Sequence, residues 1–297
     1  MELLLWFQSI SNVFWDMFFK IFTFMGEEYF IMIIFCWHMW CGDKRFAHKA
    51  GFAFCFGMSI NQLIKITCCV QRPWVLDSRL TPPASVMDTA TGYSFPSGHT
   101  QSGMTVFGCL AKRFGGITFK SICLLCAVTV GVSRMYFRVH TPWDVAVSFV
   151  IGILVIFATD RIYEMCEKRE VFTLVAGCVI SIAMVVFALV KPYPAYHLPE
   201  YVYDCSKIAG AIGGFIVAWF WERRYVKYVS KGSMWQNILK TMVSLLVLLA
   251  IKLAFDKLFG KSNTNMYLEH SKMYLEHFAL LFWCIGLSPY IMKKLNI

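Results

Sequence analysis

Long apolar blocks separated by short polar and basic segments dominate this chain. A helix needs about 20 mostly apolar residues to cross a bilayer. Blocks of that kind predict membrane helices over roughly 27–42, 48–68, 99–112, 119–137, 143–159, 171–190, 207–222, 236–255 and 276–292. The stretch 3–24 has the same helical pattern but carries Gln8, Ser9, Ser11, Asn12, Asp16 and Lys20. Two readings of it stand: a further span, or an amphipathic helix lying in the interface.

Composition agrees with the pattern. Of 297 residues, 58% are hydrophobic and only 15% charged, where a soluble domain carries about 25% charged residues. Charge near the hydrocarbon centre costs roughly 2.5–3.5 kcal/mol per residue, so a spanning chain sheds it. The class is a polytopic membrane protein, all-α, and not a soluble globule. The net charge of +10 fits cytoplasmic loops facing anionic headgroups better than nucleic-acid binding. Twelve cysteines lie mostly inside apolar runs, as at Cys36, Cys109 and Cys178, without zinc-ligand spacing. They read as small apolar residues. No basic leader precedes Leu3-Leu4-Leu5-Trp6, so insertion is expected to rely on the mature helices.

The basic residues orient the helices. Lys44, Arg45 and Lys49 fall in one loop, Lys112, Arg113 and Lys120 in another, and Arg161, Lys168 and Arg169 in a third. Arg223, Arg224, Lys227 and Lys231 follow, then Lys293 and Lys294. Alternate loops carry them all, as the positive-inside rule requires of the cytoplasmic side. The opposite face receives 69–98, the turn near 138–142, 191–206 and 256–275. The tyrosines of 191–206 read as an interfacial aromatic belt in preference to a substrate lid. Met266–His270 repeats as Met273–His277. The seven-residue offset stacks like residues on one helix face, and a local duplication without chemistry is favoured over a surface metal site.

Three segments hold the unusual polar residues: Lys65-x6-Arg72-Pro73, Pro96-Ser97-Gly98-His99, and Ser133-Arg134-x5-His140-x3-Asp144. All fall at the same face, at the ends of neighbouring spans. Lys65, Arg72 and Arg134 form a cationic set suited to phosphate oxygens. Ser97 and Gly98 open a helix whose free N–H groups attract an anion, and Gly98 permits close backbone approach. Thr141-Pro142-Trp143-Asp144 reads as a helix start, with Thr at the N-cap, Pro at N1 and an acid at N3. Asp144 then lies within a turn of His140. It can take the proton-bearing nitrogen of that ring and leave the other free to attack phosphorus. His99 is suited to protonate the departing oxygen. One histidine or arginine at a helix end would be an ordinary interfacial residue; three clusters on one face are not.

These motifs resemble, in order and without departure, those of the type 2 phosphatidic acid phosphatase (PAP2) superfamily, the lipid phosphate phosphatases. The resemblance covers about residues 26–160, a six-helix core. It implies a covalent phosphohistidine on His140, oriented by Asp144, with His99 as acid. Lys65, Arg72, Ser97, Gly98 and Arg134 would bind phosphate, with neither metal nor cofactor. Residues 161–297 are read as a second part of about four additional transmembrane helices, a dimer surface or substrate wall. The expected partners are the bilayer and a lipid phosphate, with a homodimer as one option and no nucleic acid. The expected location is a multi-pass cell membrane, that of a bacterium, with the site extracytoplasmic.

Hydrolysis of a lipid phosphate or diphosphate is the leading reading. A phosphotransferase to a lipid or sugar acceptor would use the same residues and differ in product. A glucose-6-phosphatase-like enzyme would differ in turning over a soluble sugar phosphate. A transporter would place charge and broken helices inside the spans, whereas these charges cluster at one face. Topology is directly testable. A cysteine at Ser85, in a background stripped of other reactive thiols, should react with an impermeant reagent in intact cells. Labelling only after permeabilisation would overturn the orientation.

Overall fold

A computed structural model describes residues 1–230, 232–260 and 265–296; Lys231, assigned above to a basic loop, and residues 261–264 lie outside them. The described residues are helical and contain no strand. The helices are α1 (Glu2–Ser9), α2 (Val13–Met25), α3 (Glu28–Trp40), α4 (Lys44–Cys68), the single turn α5 (Pro73–Leu76), α6 (Gly98–Arg113) and α7 (Ile117–Tyr136). They continue with α8 (Pro142–Lys168), α9 (Glu170–Val190), α10 (Tyr203–Trp221), α11 (Met234–Phe259), α12 (Met266–Phe282) and α13 (Ser288–Lys294). Each of the nine expected spans is a helix. Among the described residues, six stretches are long and apolar enough to cross a membrane: 44–76, 117–136, 142–168, 170–190, 234–259 and 266–294. The chain is a multi-pass membrane protein. α3 is apolar but short, while α6 buries Gln101, Ser102 and Thr105, and α10 is buried along most of its length.

Several helices outrun their apolar blocks. α4 starts at Lys44 and α8 continues to Lys168, leaving Arg169 between α8 and α9. The charged turns persist because they pair. Lys44 Nζ lies 2.9 Å from Glu222 Oε1, Lys49 Nζ 2.6 Å from Asp160 Oδ1, and Arg223 2.5 Å from Glu170 and 2.6 Å from Glu167. Much of the expected basic loop sequence is thus helix end.

The chain divides into two compact units. The first comprises residues 1–32, 56–159 and 193–201, the second 33–55, 160–192 and 202–297. In the first unit α6 packs on α7, and α1 and α2 pack on α7 as well. Residues 3–24 form two helices, α1 and α2, with a break between them. Asn12 caps α2 by accepting from Trp15 N at 3.1 Å. At 1.5 Å per residue, the 13 residues of α2 reach about 20 Å, short of the roughly 30 Å hydrocarbon core. Two polar residues of this stretch, Ser11 and Asp16, pack against α7. Tyr136 Oη donates to Asp16 at 2.5 Å and to Ser11 at 3.2 Å, while the Phe19 ring lies 4.4 Å from that of Tyr136. Phe7, Val86, Phe137 and Val139 complete this cluster.

In the second unit α10 packs on α9 and α12. Small residues allow very close approach, as at many membrane helix contacts. The repeat lies in the first turns of α12, capped by Asn265, which accepts from Tyr267 N and Leu268 N. His270 is buried with Nδ1 2.6 Å from Ser206 Oγ, and His277 Nδ1 contacts Met273 O of its own helix at 2.9 Å. The two imidazoles are engaged in packing. A Cβ on Gly210 would meet Tyr274 O at 2.1 Å, and one on Gly214 would meet Phe278 O at 2.2 Å. Backbone atoms of a packed helix cannot turn aside, so Gly210→Ala and Gly214→Ala should each cost about 1–3 kcal/mol. Thermal unfolding in detergent measures this; an unchanged midpoint for both would refute the close α10–α12 contact.

Candidate active site

The three motifs meet inside the first unit. The expected helix start is formed: α8 begins at Pro142, Thr141 N donates to Asp144 Oδ2 at 2.8 Å, and Asp144 N donates to Thr141 Oγ1 at 3.3 Å. This reciprocal cap fixes the carboxylate one turn from His140. Asp144 Oδ2 lies 3.3 Å from His140 Nδ1 and accepts from Ser94 Oγ at 2.6 Å. Its main-chain carbonyl accepts from Ser97 N at 3.2 Å. His140 and Asp144 are each 2% exposed.

Arg72, the residue before α5, reaches the other side of the ring. Its Nη1 lies 3.0 Å from His140 Nε2. A guanidinium only donates, so Nε2 is the acceptor and Nδ1 carries the proton toward Asp144. This is the tautomer a nucleophile needs, with the Nε2 lone pair turned away from the carboxylate. Burial, and then the Arg72 charge, push His140 down to about 3 against the pull of Asp144. The ring is therefore neutral at ordinary pH. Arg72 also donates to Gly92 O at 3.0 Å, to Val139 O at 2.9 Å and to Thr91 O. Most of its donors are spent on clamping backbone, and Nη1 also meets the His140 ring.

Arg134, in the last turn of α7, is fully buried, and none of its three guanidinium nitrogens has a hydrogen-bond partner among the described residues. Glu27 is the acidic group whose field reaches it. An uncompensated buried charge costs several kcal/mol, which an incoming anion would offset. Lys65 is buried in the last turn of α4. His99 lies in the field of Arg134, His140, Lys65 and Arg72, and its Nε2 is buried without a hydrogen-bond partner. All the cationic residues expected at the site thus converge on one small region.

The start of α6 differs in detail from the expectation. Ser97 is its N-cap: Ser97 Oγ accepts from Thr100 N at 3.4 Å and Thr100 Oγ1 at 2.8 Å. With Ser97 N given to Asp144, the open amides are those of Gly98 and His99, the first residues of the helix. The Ser97 hydroxyl proton remains to be donated. A Cβ on Gly98 would meet nothing closer than 3.7 Å, so packing does not demand glycine there. Sequence reasoning missed Ser94 and Asn61. Ser94 lies three residues before Ser97 in the same segment. Asn61 lies four residues before Lys65, one turn away on the same face of α4, and donates to Gln101 Oε1 at 2.8 Å.

The PAP2 superfamily model matches residues 46–168 and so spans all three motifs. A second model, PAP2 superfamily phosphatase, transmembrane extension, matches residues 206–297. The helices after the core, about which the motifs are silent, thus carry a family signature of their own. A probable sphingosine-1-phosphate phosphatase of Dictyostelium discoideum is 26% identical over 239 residues, 71% of this chain and 55% of that protein. Phosphatidylglycerophosphatase B of Bacillus subtilis is 29% identical over 108 residues, 33% of this chain and 52% of that protein. The chain spans about half the length of the curated relatives it matches. No solved structure matches it.

Ser94 offers a clean test of the Asp144 cluster. Ser94→Ala removes one donor from the carboxylate and leaves Thr141 N and His140 in place. Such a loss is worth about 1 kcal/mol, or roughly five- to tenfold. Turnover of a phosphate ester should fall by that factor; wild-type kcat in the variant would show that Ser94 does not support Asp144.

Proposed function

We propose that the chain is a membrane lipid phosphatase acting through a phosphohistidine on His140. The observation that supports this best is Arg134: a fully buried guanidinium without hydrogen bonds, in the same cationic set as His140. A phosphate dianion satisfies that set. Lys65, Arg72, Ser97, Gly98 and Arg134 would hold its oxygens, with the Arg72 Nη1 hydrogen bond passing from His140 to the phosphate as the substrate arrives.

His140 Nε2 then attacks phosphorus while the bond to the lipid alkoxide breaks. Asp144 accepts from Nδ1–H and steadies the positive charge that develops on the ring. His99 gives its proton to the departing oxygen. Water attacks the phosphohistidine next, His99 takes its proton, and phosphate leaves with His140 restored. The donors at hand are cations and backbone amides, which stabilise transferring phosphoryl oxygens without a Lewis acid. The reading includes metal-independent turnover.

Residues 1–160 would supply the chemistry and 161–297 further helices of the bundle. The site would face away from the cytoplasm, as the basic bias of the loops suggests. The substrate would be a lipid phosphate, the class named in both relatives' descriptions. Release of free phosphate, with no phosphorylated acceptor, separates hydrolysis from phosphotransfer.

The two histidines should fail differently. His140→Ala should lose turnover on every substrate. His99→Ala should be damaged far more on an alkyl lipid phosphate than on nitrophenyl phosphate, because general acid catalysis is worth about 10²–10⁴-fold and matters most for a poor leaving group. The measurement is kcat/KM for both variants on both substrates, in EDTA, with acid-labile phosphoprotein followed in parallel. Substantial turnover by His140→Ala would remove the covalent mechanism. Equal loss on both substrates for His99→Ala would remove the acid assignment. Activity lost in EDTA and restored by a divalent ion would remove metal independence.

A further inference from the structure

The segment 193–201 joins α9 to α10 in sequence, yet it belongs to the unit that holds the site. Its side chains explain why. His197 Nδ1 lies 2.8 Å from Tyr93 Oη. The Tyr193 ring stacks on His197 with centroids 4.0 Å apart and planes 14° apart. Tyr196 Oη donates to Cys69 O at 2.8 Å. Gly92 has φ +63, and a Cβ there would come within 2.8 Å of Tyr201 O. The segment is a strap laid across residues 91–94.

Those residues bracket His140. On one side of Tyr93, Gly92 O accepts from Arg72 Nε at 3.0 Å, and Arg72 Nη1 meets His140 Nε2 at 3.0 Å. On the other side, Ser94 Oγ donates to Asp144 Oδ2 at 2.6 Å, and Asp144 faces His140 Nδ1 at 3.3 Å. Tyr93 stands between the two residues that hold the two partners of one imidazole. A change in its seat moves both partners together. A misplacement of about 1 Å at a reacting centre costs on the order of 100-fold in rate.

We propose that Tyr93 and His197 are positioning residues that set the attack geometry of His140, a role that rests on His140 being the nucleophile. Neither touches the reacting atoms. The strap thus ties the chain beyond the motifs to the chemistry of the motifs. Its aromatic residues contribute through Tyr93, not as a simple interfacial belt.

Rapid-quench measurement of phosphoenzyme formation from an aryl phosphate, with steady-state kcat and KM, tests this on the full chain in detergent. Tyr93→Phe deletes only the hydroxyl, and His197→Ala deletes its partner. Each should slow phosphoenzyme formation by about tenfold, at the upper range for one hydrogen bond, with KM within about twofold. The double variant should be no slower than the worse single one, because both remove the same bond. His197→Asn, whose Oδ1 sits near the place of Nδ1, should recover most of the rate. Unslowed single variants, multiplying losses in the double, or a raised KM with intact kcat would each overturn the proposal. So would a lowered thermal midpoint with a normal phosphoenzyme rate, which marks a merely structural contact. If wild type forms no phosphohistidine, this proposal falls with the mechanism beneath it. If wild type forms it and the variants are unslowed, the positioning role alone falls.

Discussion

One carboxylate organises the site. Asp144 Oδ2 takes Ser94 Oγ at 2.6 Å and Thr141 N at 2.8 Å, and faces His140 Nδ1 at 3.3 Å. Its main-chain carbonyl takes Ser97 N at 3.2 Å. One residue in the first turn of α8 therefore ties the 94–97 segment to the turn at His140 and Thr141. The cap comes from local sequence, since Thr141, Pro142 and Asp144 would start a helix in almost any context. Everything else depends on tertiary contact. The same oxygen that begins a helix also sets the tautomer of a histidine, because the carboxylate admits only a donor and Arg72 on the far side only gives one.

The positive charge of the site has a different origin. Lys65 and Arg134 are buried at the ends of α4 and α7, and Arg72 is buried beside them. Isolated cations at such positions are costly. The fold tolerates Arg72 by spending its donors on the carbonyls of Gly92, Val139 and Thr91. Arg134 has no such relief in hydrogen bonds. One arginine is therefore chiefly a clamp on backbone, and the other is buried with its guanidinium donors unspent, a distinction their shared residue type conceals.

Much of this was legible beforehand. The nine apolar blocks are helices because apolar length alone decides them, and the start of α8 follows from three residues of local chemistry. The motifs converge because each lies at a helix end on one face. What sequence concealed was tertiary. The break at Asn12 needs only one cap, yet it divides a pattern that reads as a single helix. Ser94 is one serine among many until the fold sets it beside Asp144. Ser97 N faces the Asp144 carbonyl, a contact no local pattern announces, because the chain before α6 runs against the first turn of α8. The tyrosines of 191–206 read as a belt because aromatic residues suit an interface in any case. The docking of His197 on Tyr93 adds a contact that composition alone does not announce.

On the proposed mechanism, the choice of nucleophile follows from this electrostatics. A site that holds a phosphate dianion must be rich in positive charge. A carboxylate nucleophile there would pair with the arginines and repel the substrate it must attack. A lysine or a protonated imidazole would have no lone pair. A neutral imidazole avoids both problems, and burial first, with the Arg72 charge adding to it, pushes His140 down to about 3. When phosphoryl transfer makes the ring positive, Asp144 on Nδ1 stabilises the charge that Arg72 on Nε2 had disfavoured. On that mechanism the group that binds the substrate would also prepare the nucleophile, and the group that orients the nucleophile would stabilise what it becomes.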